Sequence, residues 1–397
     1  MTTETETFDP ATVLFDPRHA DAPQPMYEML RAAGAVLRGR GHEGVPNVYV
    51  TRYEEAMWAL RHPEVFSSAP EAVSIGQDQP HIPLQIDPPD HAKYRRFLDP
   101  EFSPKRIGEL DGDARGIVNG LIDAFVDRGA CDVHEEFATP LPSSIFLRLM
   151  GLPRADLAHF LRWRDDTIRP NVDPGDLEAA AAIRERVGHD ITAYFDAALD
   201  EQARHPADGL MAKIANGQVE DRPLTRREQL GICHLLLLGG LDTVTATLDC
   251  ALAYLARNPE QRRRLVEEPD TAPGAVEELL RWEAPVMMVI RVIKADAELA
   301  GVPLHAGDHA MIMIGSANLD DEFPDADRVE FERAANRHLA FGAGPHRCLG
   351  SHLARLELRA ALEEWHRRIP EYRLADGAEV HYSPGIRQAN HLPLVWD

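Results

Sequence analysis

One cysteine stands where its chemistry would be unusual. The stretch Phe341-Gly-Ala-Gly-Pro-His-Arg-Cys-Leu-Gly350 puts Cys348 in a glycine-rich loop that runs straight into a helix-forming segment, 351–362. The first turn of a helix leaves backbone N–H groups unpaired and carries the positive end of the dipole. A sulfur placed there is biased toward the thiolate, the form that ligates metals. The bland alternative is a structural thiol, the commoner state of a lone cysteine. A dinucleotide fingerprint fits poorly, because Gly342 and Gly344 are followed by Arg347 and the lead-in 337–340 is not a strand core. Zinc would ask for further thiols or histidines at short spacing, and the chain contains no CxxC.

Other groupings could serve the same chemistry. His91 and Arg95 lie four apart, so on a helix they share a face and could hold a carboxylate, although a solvated basic face is the simpler reading. Glu278 and Arg281, three apart, could pair locally, which for most such pairs is surface decoration. Gly239-Gly-Leu-Asp-Thr243 interrupts a helical pattern; two interior glycines cost about 1 kcal/mol each relative to alanine, so either close packing or a local opening must justify them. An opening would free the Thr243 hydroxyl and the Asp242 carboxyl for proton transfer. Cys348, His352, Arg355 and Arg359 fall on one helical face, a basic strip in an acidic protein.

Taken together, Phe341, Gly342, Gly344, Arg347, Cys348 and Gly350 match the proximal haem loop of cytochrome P-450 proteins. The HxxxR pair, the Gly-Gly-Leu-Asp-Thr segment and the ExxR pair resemble further features of that family, and the chain is similar to its bacterial soluble class. Segments 215–219, 239–243, 277–281 and 392–397 are especially similar to the camphor-hydroxylating members. One departure is that no tyrosine occurs between Ser67 and Pro89, where those members hydrogen-bond their substrate; Gln79 or His81 lies near that place.

The resemblance implies haem b with Cys348 as axial thiolate, Phe341, Gly342 and Gly350 shaping the loop, and His91, Arg95, Arg291 and His346 holding the propionates. It gives Asp242 and Thr243 proton delivery with O2 as co-substrate, makes Glu278 and Arg281 structural, and offers Arg347, Arg355 and Arg359 as a docking face for an acidic ferredoxin served by a ferredoxin reductase. Gln79, His81, Leu84, Leu235, Leu238, Gly239, Met288 and Val289 would line the pocket. The implied reaction inserts one oxygen atom into a C–H bond of a small hydrophobic substrate, with a terpenoid favoured over a steroid, fatty acid or aromatic compound. A peroxygenase and a non-catalytic haem sensor are the alternatives. The Asp-Thr pair argues against the first, and the second would call for a signalling domain that the sequence does not display.

The elements that must position these residues are mainly helical with small β-sheets, expected as a single domain over residues 1–397. A helix predicted over 225–257 would run about 45 Å, opened by a Thr225/Glu228 capping box, with the haem between it and the cysteine-loop helix. Asn47–Thr51 reads as a strand of a small amino-terminal sheet, Thr51/Glu54 as another capping box, and 297–314 as hairpin strands of a second sheet. The 67–89 stretch has no periodicity and reads as a loop walling the pocket. A balance of 42 basic against 65 acidic residues, net charge −23, speaks against nucleic acid and anionic lipid partners. The start has no leader pattern, and the apolar run 232–241 falls short of the about 20 residues of a membrane span. Four scattered cysteines fit a reducing compartment, so the expectation is a soluble, cytoplasmic monomer.

Overall fold

A computed structural model describes residues 18–40, 45–70, 80–168, 170–173 and 176–397, with Pro10 and Leu14. Helices carry most of the chain. α1 (Gln24–Ala33), α2 (Tyr53–Arg61), α3 (His91–Leu98), α4 (Asp111–Asp123), α5 (Pro140–Met150) and α6 (Leu177–Arg204) precede a long apolar pair, α7 (Arg226–Leu241) and α8 (Thr243–Arg257). α9 (Ala272–Glu283) and α10 (Ser351–Arg368) follow, the latter starting just after the cysteine loop.

The α7/α8 pair replaces the single predicted helix. The chain bends at Asp242 (φ −101°, ψ −36°), one residue beyond the two glycines. Hydroxyls compete for the carbonyls around the bend: Thr243 Oγ1 donates to Gly239 O (3.3 Å), Thr245 Oγ1 to Leu241 O (2.8 Å) and Thr247 Oγ1 to Thr243 O (2.7 Å). At the other end the Thr225/Glu228 capping box is complete in both directions. Two-thirds of the most apolar stretch of 226–257 is buried, 67%, so its hydrophobicity belongs to the core. α8 is buried almost all round, in one large cluster that includes Leu248 and Leu252 with Phe125, Phe137 and Trp365.

The sheets differ from expectation in an instructive way. β1 (Val36–Gly39), β2 (Asn47–Val50), β3 (Phe66–Ser67), β4 (Val289–Ile293) and β5 (His309–Ile312) form one five-stranded sheet in the order β1-β2-β5-β4-β3. β2 pairs in parallel with β5, Asn47 opposite His309, and β5 pairs antiparallel with β4, Ala310 opposite Arg291. Thus the amino-terminal strands and the late ones share a sheet, and of the 297–314 stretch the hairpin Ala297–Leu299/Val302–Leu304 stands apart from it. The Thr51/Glu54 capping box does not form. Thr51 Oγ1 donates to Gly34 O (2.6 Å), and the first turn of α2 is met instead by Asp320, which accepts from Tyr53 N (2.9 Å).

Candidate functional site

The cysteine loop is pressed onto the end of α2. Gly344 has φ +67°, and a Cβ there would lie 2.3 Å from Leu60 O, so only glycine lets the loop approach this closely. Inside the loop Cys348 N donates to Phe341 O (2.8 Å) and Arg347 N to Gly344 O (3.1 Å). Arg95 on α3 donates to Arg347 O (2.7 Å) and to Asp99 (2.7 Å), which stitches α3 to the loop. Cys348 is exposed at its surface, yet the protein packed around it desolvates the sulfur and raises the thiol pKa. The backbone of Gly350 and the charges of Arg95, Arg347 and Arg355 only partly oppose this. The expected bias toward thiolate is therefore overridden by burial, and a bound metal cation would be what removes the proton.

Beside the loop sits a cluster of groups that could be cationic. His346 and His91 rings are 4.3 Å apart, and Arg291 on β4 is 8% exposed. Burial, with a smaller contribution from neighbouring basic groups, brings His346 down to about 3 and His91 down to about 4; the neighbours are His91 and Arg291 for the first and Arg95 for the second. Arg291 is brought down to about 10 by desolvation, with Asp87 pulling the other way. Among the described residues neither ring nitrogen of His346 has a hydrogen-bond partner, and Arg291 Nη1 donates to Ile290 O (2.7 Å). Asp87 is itself held by Ser67, Ser68 and Lys294. A desolvated guanidinium beside two imidazoles held neutral is a place where an anionic ligand would be favoured, and it would draw the rings back toward their charged form.

Above the bend, Leu235, Leu238 and Gly239 lie at helical spacing on one incompletely buried face of α7, between the buried positions Cys233, Leu237 and Leu241. Among the described residues a Cβ on Gly239 would meet no atom within 4 Å, and one on Gly240 would make an ordinary contact with Phe146, so close packing between them does not explain the pair. Asp242 is 1% exposed and Thr243 half-buried. The 80–86 segment leans on the same helix: Ile82 N donates to Gly231 O (3.2 Å), and a Cβ at Gly231 would strike Pro80 O at 2.6 Å. His81 is buried with an unpartnered Nε2, Leu84 points outward at 44% exposure, and Gln79 lies outside the described residues. Met288 and Val289 are half-buried on the run into Arg291, while Met287 between Val286 and Met288 faces the core.

Glu278 and Arg281 are not surface decoration. Both are fully buried, paired at 2.7 and 2.9 Å. Arg281 also donates to the carbonyls of Asn318, Ala326 and Arg328, while Glu278 accepts from Arg333, Asn336 and the Glu330 amide. Sequence reasoning missed Arg333 and Asn336, which sit in an irregular stretch with no pattern to mark them. Of the three candidate docking arginines only Arg347 is exposed and without an ion pair among the described residues. Arg355 is forked onto Glu277 (2.5 and 2.7 Å), and Arg359 is paired with Asp111 (2.6 Å). The basic strip is thus largely committed to holding helices together.

The model of the family described as Cytochrome P450 matches residues 176–365. The Steroid C26-monooxygenase of Mycolicibacterium smegmatis is 35% identical over 375 residues, 93% of this chain and 92% of that protein. The chain belongs to the cytochrome P450 family. The Biotin biosynthesis cytochrome P450 of Bacillus subtilis is 31% identical over 94% of this P450 and 96% of the relative. Among solved structures, P450BioI in complex with hexadec-9Z-enoic acid ligated Acyl Carrier Protein superposes with a TM-score of 0.87 at 30% identity, covering 96% of this chain and 100% of that one. CYP101J2 gives 0.83 at 29%, covering 94% and 92%. These matches carry the family and its monooxygenase chemistry, with a haem held through a cysteine thiolate and O2 as co-substrate. They span several substrate classes and single out none.

Proposed function

We propose that Cys348 is the axial thiolate of a haem b whose propionates are met by His91, Arg291 and His346, with Arg95 bracing the loop. In this reading the P450 hydroxylates a small hydrophobic molecule of terpenoid type, drawing electrons from a separate ferredoxin and its reductase. The observation that carries the assignment is that the thiol and the imidazoles share one wall: His346 is two residues from Cys348, and its ring lies 4.3 Å from that of His91. When bound, the haem supplies dioxygen activation, favoured by electron density from the thiolate.

The chain's own residues do the rest. Arg291 and the two imidazoles bind carboxylates in a desolvated place where one charge-assisted bond is strong. Gly239 leaves open space on the face of α7. Thr243 Oγ1 is only loosely held by Gly239 O (3.3 Å), so it can turn to hold a proton toward that space, and the buried carboxyl of Asp242 adjoins it as the proton source. Leu235, Leu238, Met288 and Val289 offer a wall without charge, which suits a compact hydrocarbon skeleton and leaves specificity to shape. Thr243→Ala should leave NADH consumption largely intact while product per NADH falls several-fold and peroxide appears; unchanged coupling would remove Thr243 from the relay.

Substrate class is tested by the spin-state shift on adding a bicyclic monoterpenoid, a sterol, myristic acid or a substituted benzene to the ferric protein. The terpenoid should saturate at the lowest concentration. A shift with myristic acid alone overturns the substrate class and leaves the haem assignment standing. A carbon monoxide difference spectrum of the histidine-ligated kind would overturn Cys348 as ligand.

A further inference from the structure

The basic residue closest to the logic of the cysteine loop is already occupied. Arg355, in the second turn of α10, donates Nε and Nη2 to the two oxygens of Glu277 on α9 at 2.5 and 2.7 Å, a bidentate fork between helices. Its guanidinium carbon lies 4.4 Å from the centroid of the Phe341 ring. The carbonyl of that same Phe341 accepts the Cys348 amide at 2.8 Å. A continuous chain of contacts therefore runs from α9 through Arg355 and Phe341 to the backbone of the cysteine.

A third side chain closes the arrangement. His338 Nδ1 accepts from Ala340 N (3.2 Å), so the proton of the ring is on Nε2, which donates to Glu277 Oε2 at 3.1 Å. The bidentate partner of Glu277 is the guanidinium of Arg355. Burial would push the Glu277 carboxyl up, but the hydrogen bonds of Arg355 and His338 outweigh it and bring it to about 2. The carboxylate and the guanidinium are both ionised at any working pH.

We propose that Arg355, clamped by Glu277, is a positioning residue that holds the Phe341–Cys348 turn and sets the reduction potential of the iron through the balance of these two charges. The proposal rests on Cys348 being the thiolate ligand. Reduction adds one negative charge to the iron–thiolate unit. A positive charge nearby favours the reduced state and a negative one opposes it, more strongly in a partly desolvated place than in water. Removing either member of the pair therefore moves the potential in opposite directions, a signature that loss of packing cannot imitate.

The experiment is a potentiometric titration of the substrate-free holoenzyme and three variants. Arg355→Gln leaves Glu277 uncompensated and should shift the redox equilibrium about tenfold toward the oxidised form, about 59 mV for one electron. Glu277→Gln leaves Arg355 uncompensated and should shift it a similar factor the other way. Arg355→Lys keeps the charge, without the fork, and should stay near the wild-type potential, which also serves where the glutamine variant fails to retain haem. Shifts of the same sign in the two glutamine variants, or a lysine variant displaced as far as Arg355→Gln, would overturn the proposal. So would unchanged potentials with only the rate of reduction by ferredoxin altered, which is the outcome a pure docking role predicts. The carbon monoxide spectrum of the wild type separately reports whether Cys348 is the ligand.

Discussion

At Gly239 two explanations of one residue can be separated by one methyl group. Adding it meets nothing within 4 Å, and the backbone is not in the left-handed region, so neither packing nor conformation demands glycine there. Gly239→Ala should therefore fold normally and gain up to about 1 kcal/mol of helix stability. The methyl would project from the face shared with Leu235 and Leu238, where the reaction needs room, and turnover should fall at least several-fold. Urea melts and product formation measured on the same preparation check this; unchanged turnover would show the space to be unused. The same scale explains what could be read from residues alone. Cys348, with its flanking glycines, is a local pattern, and so is Asp242-Thr243. Arg355 was equally visible, but not its partner: Glu277 lies 78 residues away, and nothing in the spacing within α10 says that the charge is spent internally.

Elements meet through residues that no helical period marks. Tyr94 on α3 sits between His91 and Arg95 and donates to Glu228 (2.6 Å), the capping residue of α7. Glu228 also takes the fork of Arg222 (2.7 and 2.8 Å) and both the amide and the hydroxyl of Thr225. The Arg222 fork, first among these bonds, holds its carboxyl well below the usual range. One carboxylate thus fixes the start of α7 to α3, the helix that carries His91 and Arg95. Tyr94→Phe keeps the ring and deletes the bond, at a cost of about 1.5–3 kcal/mol for a hydrogen bond to a charged group. It should also speed transfer of haem to apomyoglobin, because α3 is freed; unaltered transfer would mean that the tie is structural only. The capping box itself was legible from Thr225 and Glu228, three apart. Its second use was not, nor was the parallel pairing of β2 with β5, because strands more than 250 residues apart leave no joint pattern in either segment. Where local chemistry competed with a distant partner, as at Thr51 and Asp320, the distant partner won.

Across the whole molecule, buried polar groups couple stability to pH. Glu278 gathers Arg281, Arg333, Asn336 and the Glu330 amide at a point that links α9 to the segment leading into the cysteine loop. The first losses on acidification come from histidines buried as neutral rings. His366 on α10 is 2% exposed, donates Nδ1–H to Leu362 O (2.7 Å) and accepts from Tyr372 at Nε2 (3.1 Å). Burial, aided by the charge of Arg262, whose guanidinium lies 4.9 Å from the Tyr372 ring centroid, outweighs the pull of the Leu362 carbonyl and lowers its pKa to about 4. His81 is lowered to about 4 by desolvation as well. In the unfolded chain such rings take up a proton near pH 6.5. The folded state binds fewer protons between these values, so its contribution is complete above pH 6.5 and is lost as pH falls toward 4. Each ring is worth about 3 kcal/mol across that window at about 1.36 kcal/mol per pH unit. Urea midpoints of the holoenzyme should begin to fall below pH 6.5, well before carboxylates protonate. His366→Gln, which can still donate to Leu362 O, should flatten the decline between pH 6.5 and 4, and a wild-type midpoint level from pH 7 to 5 would show that these rings are protonated in the fold.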